Sequence, residues 1–368
     1  MSNKIIHYKG LNGIRAIASL IVLCAHINHA SHFYGLSSLT IFGSGSASLA
    51  VVLFFVLSGY LITRLLLVEK DTFSKIDLPK FYVRRILRIW PIYYLIIIVG
   101  LLFYFSMPSL TKLNEIEIFK TFALYTFLIS NIGYGMSLTF LIITPLWSVG
   151  VEEQFYVFWP ILIEKSKNIL KTLLLFIFAY LALKISCKFL ASKTVYTIVH
   201  ISCFDCMAIG GIGAYLIHIK SKSLALLFHP ISQIISWSIL AIDVFYSPVH
   251  VFSFLDNEIH AVFYLIIILN VSANPKTLIA LENKIFDFIG RISYGIYVYH
   301  SAVIVGLSLI FKHVLFLKLE NNFTGYGTLF TTLIASTLLV SYLSYTYFES
   351  YFIKRKHTFT KIESSSRV

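Results

Sequence analysis

Eleven runs of apolar residues follow one another along this chain, at about 13–32, 48–68, 89–107, 119–137, 147–164, 169–189, 198–219, 224–246, 258–273, 288–311 and 327–350. A helix needs about 20 such residues to cross the ~30 Å hydrocarbon core of a bilayer, and no other feature restricts the fold as severely. Lipid offers the backbone no hydrogen-bond partners, so a series of such runs resolves into a bundle of spanning helices. Charge is correspondingly scarce. Only 13% of the 368 residues are Asp, Glu, Lys or Arg, about half the share of a soluble domain, and the mean hydropathy is +0.81. The polar start and the Arg15 and His26 of the first run predict an uncleaved N-terminus rather than a signal peptide.

The net charge of +13 does not form one surface. Lys and Arg gather in short loops between apolar runs, the pattern of the positive-inside rule, which points to a lipid bilayer and away from nucleic acid. Lys4 and Lys9, the 69–88 loop with Lys70, Lys75, Lys80, Arg84, Arg85 and Arg88, and the end with Lys354, Arg355 and Lys356 are basic, while 33–47 carries no Lys or Arg. Both termini are therefore expected to be cytoplasmic, which requires an even number of crossings. The run at 119–137 holds Asn131, Gly133, Tyr134 and Gly135 and is the one expected not to cross. The expected fold is all-α and polytopic, with about ten transmembrane helices plus one re-entrant or non-crossing segment. Its parts are a cytoplasmic N-terminus at 1–12, a transmembrane domain at 13–350 and a cytoplasmic tail at 351–368.

An ionisable side chain in a bilayer costs roughly 2.5–3.5 kcal/mol on insertion scales, so each one needs a reason. Arg15 and His26 are eleven steps apart, which places them ~16 Å apart along a helix and almost on the same face. Arg15 then lies near the cytoplasmic edge and His26 past the middle, where an imidazole can accept and return a proton near neutral pH; a helix-packing histidine is the competing reading. Arg84, Arg85 and Arg88 open the third run as R-R-I-L-R-I-W-P-I-Y-Y. They suit either membrane anchoring or a phosphate clamp, and Pro91 is expected in the first turns of their helix. In W-S-V-G-V-E-E-Q-F-Y, Trp147 is expected at the outer interface, with Glu152 one to two turns deeper and nearer the outer face than His26. F-F-V-L-S-G-Y places Ser58 and Tyr60 mid-span, and I-S-Y-G-I-Y-V-Y-H places Ser293, Tyr297 and His300 on one stripe. Cys203 and Cys206 form a C-x-x-C with no second Cys or His pair beside it in sequence, so no metal is expected and the thiols read as buried packing residues.

Together, in this order, these motifs resemble the membrane-bound acyltransferase-3 family over Leu11 to about Glu349. The resemblance rests on R-x10-H, F-F-x-x-S-G-Y, R-R-x-x-R-I-x-P-x-Y-Y, W-S-x-x-V-E-E-Q-F-Y and the late S-Y-x-x-Y-x-x-H. It implies a bacterial inner-membrane O-acyltransferase acting on a surface carbohydrate such as lipopolysaccharide O-antigen, with no permanently bound cofactor and with acyl-CoA, most simply acetyl-CoA, as donor. His26 would be the catalytic base, with Arg15 and Glu152 beside it. Arg84, Arg85, Arg88, Ser58 and Tyr60 would serve the donor, and Trp147, Glu153, Tyr297 and His300 the acceptor. Cys203 stands where many relatives carry an Arg, which weakens a role for Asp205. With about eighteen residues after the last run, a stand-alone enzyme or one with a separate partner is expected. The rival class is a transporter or flippase that uses the same charges as a proton relay.

Overall fold

The computed structural model describes residues 4–7, 9–40, 43, 45–108, 111–246, 249–314, 319–359 and 362–365. Parts of the two expected tails (1–3, 8, 360–361 and 366–368) and of the 33–47 loop (41, 42 and 44) lie outside the described residues. Apart from two four-residue strands, the described secondary structure is helical.

The helices are α1 (Leu11–His29), α2 (Ser46–Phe73), α3 (Leu78–Ser106), α4 (Glu115–Thr126), α5 (Ser130–Gly135), α6 (Leu146–Lys165), α7 (Ile169–Leu190) and α8 (Lys193–Ser202). They continue as α9 (Phe204–His218), α10 (Leu224–Leu227), α11 (Pro230–Phe245), α12 (Asp256–Ala273), α13 (Lys284–His313), α14 (Phe323–Ser344) and α15 (Ser350–Lys356). Polar residues just ahead of the apolar runs set their starts. Asp77, Asn168, Ser192 and Asn322 each accept a bond from a backbone N–H in the first turn, and Asn114 and Glu117 form a reciprocal capping box, meeting donors the helix leaves unpaired. Seven helical stretches are long and apolar enough to cross a membrane, among them α14, which runs on through a π-helical turn into α15.

The 119–137 run, expected not to cross, is split into α4 and α5 by a turn at which Leu128 has positive φ; two other expectations change. The 198–219 run breaks at Cys203, whose left-handed backbone (φ 42°) ends α8 and starts α9. Pro91 lies in the interior of α3, not in its first turns, because the Asp77 cap starts the helix at Leu78. The ends also meet: the strands Lys4–His7 and Ile362–Ser365 pair in parallel, so both termini lie on one side of the bundle.

Two features fix the walls of the central cavity. At the α2–α9 crossing, a Cβ on Gly59 would collide with the Met207 carbonyl and one on Gly210 with the Val56 carbonyl; glycine allows the backbones to touch. At the other end of α2, Lys70 donates to the carbonyls of Ile163, Glu164 and Ser166 (2.8–3.0 Å), capping the C-terminus of α6. The helix α1 packs along α13 in the same direction, with Asn12 bonded to Asp287 near one end and His26 against His300 towards the other.

Candidate active site

A cavity of about 110 Å³ opens among α1, α2, α3, α6 and α13. Its polar wall is Arg15, Ser58, Arg85, Arg88, Ser148, Glu152, Tyr156, Ser293, Tyr294 and Tyr297, and its apolar wall includes Phe54, Phe55, Leu57 and Ile62. An apolar cavity of roughly 150 Å³ holds one benzene, so this space suits one small group rather than a whole nucleotide.

Helical spacing and local bonds aim these side chains. Arg15 donates to Asn12 Oδ1 (3.2 Å) one turn earlier, and Asn12 donates to Asp287 (3.3 Å), which draws the guanidinium toward α13. Arg85 lies over the rings of Phe81 and Tyr156, 5.5 and 5.4 Å from their centroids, and its buried Nε has no partner among the described residues. Glu152 accepts from the Tyr156 hydroxyl (2.9 Å), and that hydroxyl is in contact with Ser58. A carboxylate only accepts and Tyr156 has one proton to give, so Ser58 is the donor to Tyr156. The proton order therefore runs Ser58 to Tyr156 to Glu152. Tyr156 was not singled out in the sequence, although its i+4 spacing from Glu152 puts the two on one helix face.

The cavity wall carries three guanidiniums and one carboxylate. Charges withdrawn from water require compensation, and the surplus here is positive.

His26 does not line this cavity. Its ring contacts that of His300, with centroids 4.7 Å apart. His26 Nδ1 lies 2.8 Å from the Val22 carbonyl and His300 Nδ1 2.7 Å from the Tyr297 carbonyl. A carbonyl has no proton to offer, so each Nδ1 carries the hydrogen and each neutral ring presents an Nε2 lone pair. His300 Nε2 is buried without a partner among the described residues. Tyr297 joins the two places: its side chain lines the cavity and bonds Ser148 (2.6 Å), while its carbonyl holds His300.

The order along the bundle departs from expectation. Glu152 lies with Arg15, Arg85 and Arg88, on the arginine side of His26 rather than beyond it. The cause is the segment before α6. Phe140, Ile142 and Ile143 are buried, Ser130 donates to the Leu146 carbonyl, and Trp147 stacks on Tyr134 of α5 at 5.1 Å. The helix α6 thus begins inside the bundle, and Trp147 is a packing residue there rather than an interfacial anchor.

Other candidates stand apart from the cavity. Arg84 is committed to Glu69 (3.3 Å) and to the Phe359 carbonyl (3.0 Å). Glu153 turns away to accept from Trp90 Nε1 (2.8 Å). Tyr60 is buried against Ser272 (3.1 Å). Asp205 is buried in a separate cluster with Glu258.

Known proteins resemble the chain over most of its length. A protein of Staphylococcus aureus (strain COL) is 29% identical over 338 residues, covering 82% of this chain and 51% of the relative. The O-acetyltransferase OatA of Staphylococcus aureus (strain NCTC 8325 / PS 47) is 28% identical over 319 residues, covering 80% and 50%. The peptidoglycan O-acetyltransferase OatA of Listeria monocytogenes is 32% identical over 157 residues, covering 41% and 23%. The chain spans about half the length of the first of these relatives. No solved structure matches it. The model of the acyltransferase domain matches residues 8–346, nearly the whole chain, and the protein belongs to this family, the acyltransferase-3 family of membrane acyltransferases.

Proposed function

We propose that this protein moves an acetyl group from cytoplasmic acetyl-CoA to a hydroxyl of a cell-envelope carbohydrate, in the cytoplasmic membrane of a bacterium. The observation that carries this reading is the cavity wall with three guanidiniums against one carboxylate, an arrangement that suits a phosphorylated donor. The O-acetyltransferase names of two relatives support the acetyl group, and the peptidoglycan named for one of them makes that polymer a leading acceptor beside lipopolysaccharide. The crossing number belongs to the same reading. Counting α6, α11 and α12 with the seven long helical stretches gives ten crossings, an even number that, with the basic loops, supports both ends in the cytoplasm.

In this mechanism the donor's base and ribose stay outside the cavity, its phosphates meet Arg85, Arg88 and Arg15 at the cavity wall, and its thioester arm extends past Tyr297 toward the histidine pair. His26 Nε2 takes the proton of the acceptor hydroxyl as its oxygen attacks the acetyl carbon. The C–S bond breaks, and the departing thiolate recovers the proton from the imidazolium. The neutral His300 ring lies against His26 and, with its Nε2 lone pair unmatched among the described residues, would favour the transient imidazolium electrostatically. Glu152, held by Tyr156, balances the guanidiniums and keeps them oriented toward the donor.

The test is release of CoA from acetyl-CoA by the purified protein, with isolated peptidoglycan fragments or lipopolysaccharide offered separately. Acceptor-dependent release that His26→Ala abolishes is the expected result. No release by the unmodified chain with any acceptor would overturn the reading and favour a transporter.

A further inference from the structure

Away from the cavity, three helices bring a second set of charges together. Lys184 of α7 pairs with Glu258 Oε1 in the first turn of α12 (2.5 Å), and Asp205 lies in the first turn of α9. Asp205 is 0% exposed, Cys206 0%, Lys184 1% and Glu258 7%. A carboxylate oxygen of Asp205, Cys206 Sγ and a carboxylate oxygen of Glu258 all lie within 4.8 Å of one another. Asp205 Oδ1 accepts the Cys206 N–H (2.9 Å) and Glu258 Oε1 takes Lys184, but Asp205 Oδ2 and Glu258 Oε2 are buried with no partner among the described residues.

With both carboxyl groups ionised, one ammonium faces two carboxylates, a net negative charge where burial is expensive; either a proton held between Asp205 and Glu258 or a cation must balance it. A divalent cation that displaces the Cys206 thiol proton to solvent balances two carboxylates, one thiolate and one ammonium to zero. A thiolate with two carboxylates suits a borderline ion such as zinc better than calcium or magnesium, which prefer oxygen alone. At tetrahedral zinc, with bonds of ~2.0–2.3 Å, the ligand atoms lie roughly 3.5 Å apart, inside the 4.8 Å that bounds the spacing present. The sequence could not indicate this, because Glu258 comes from a helix more than fifty residues from the C-x-x-C. Cys203 gives its thiol proton to the His200 carbonyl and accepts from Asn257 Nδ2, while its sulfur lies beside Cys206 and Lys184.

We propose that Asp205, Cys206 and Glu258 form a zinc site, with water in the fourth position, that ties α9 to α12 while Lys184 balances its charge. The site is independent of the acyl-transfer reading.

The experiment uses the full chain in detergent, stripped with a chelator and reloaded with zinc or cobalt(II). About one ion per chain and a near-ultraviolet cobalt–thiolate absorption band are expected. Cys206→Ser should remove the band and weaken retention at least about tenfold. Asp205→Asn and Glu258→Gln should weaken retention similarly. Failure of the unmodified chain to retain zinc, or equal retention by Cys206→Ser, would overturn the proposal. So would a zinc-insensitive infrared band of a protonated carboxyl that Asp205→Asn abolishes, since a proton shared with Glu258 would then supply the missing charge. If Cys206→Ser does not fold, the cobalt spectrum of the unmodified chain decides alone.

Discussion

The cavity between α1, α3 and α6 and the polar knot between α11 and α12 use the same kinds of side chain to opposite ends. In the knot, Asp243 accepts from His260 Nε2 (3.0 Å), Tyr264 (2.9 Å) and the Val249 N–H (3.2 Å). His260 Nδ1 meets the Asp256 carbonyl (2.6 Å). Both of its partners only accept, so His260 carries both ring protons and is an ion pair with Asp243. Every acceptor there is used. In the cavity, by contrast, Arg85 Nε is unmet and three guanidiniums share one carboxylate around open space. A fully satisfied buried network fixes helices in place, whereas an unsatisfied one beside a void is arranged for something that is not part of the chain.

This contrast predicts separable effects on chemistry and on stability. The largest belongs to the histidine pair: His26→Ala should reduce acetyl transfer by about 10²- to 10⁴-fold with an unchanged thermal unfolding midpoint in detergent. Transfer that survives this change would remove His26 from the chemistry. Next, Asp243→Ala strands a buried imidazolium and should destabilise the protein by about 3–5 kcal/mol, read as a lowered unfolding midpoint, while turnover per folded molecule stays near normal. A loss of turnover without loss of stability would make the knot part of the active site.

Within the arginine cluster the contrast recurs between neighbours. Arg85→Gln and Arg88→Gln should each raise the KM for acetyl-CoA by about tenfold or more, the scale of a lost charged hydrogen bond. Arg84→Gln, which breaks only the pairing with Glu69 and the Phe359 carbonyl, should change that KM by less than about threefold. Equal effects at all three positions would mean that the donor draws Arg84 out of its ion pair. An effect below those at Arg85 and Arg88 is expected from Tyr156→Phe, which cuts the Ser58–Tyr156–Glu152 chain and should lower kcat about three- to tenfold.

Much of the architecture follows from local pattern. The apolar runs locate α1, α2, α6, α7, α12, α13 and α14 closely because spanning length and backbone satisfaction leave a helix as the only solution. Asp77, Asn114, Asn168 and Asn322 mark helix starts through side chains that reach only their own first turn. For the same reason, the ionisable residues worth attention stand out in the sequence: Arg15, His26, Arg85, Arg88 and Glu152 are conspicuous because lipid penalises them.

Which of those charges meet is a different matter, and it depends on contacts between segments far apart in the chain. The fold-back of residues 127–146 starts α6 inside the bundle and places Glu152 beside Arg15 instead of beyond His26. Arg84 and Arg85 are adjacent in sequence, yet ~100° around a helix sends one to Glu69 and the other to the cavity. His26 gains His300 only because α1 and α13 run side by side, and Asp205 gains Glu258 only through the packing of α9 against α12. Periodicity and capping act over a few residues and are written in the chain. The pairing of buried charges is set by helix packing, so only the tertiary structure settles it.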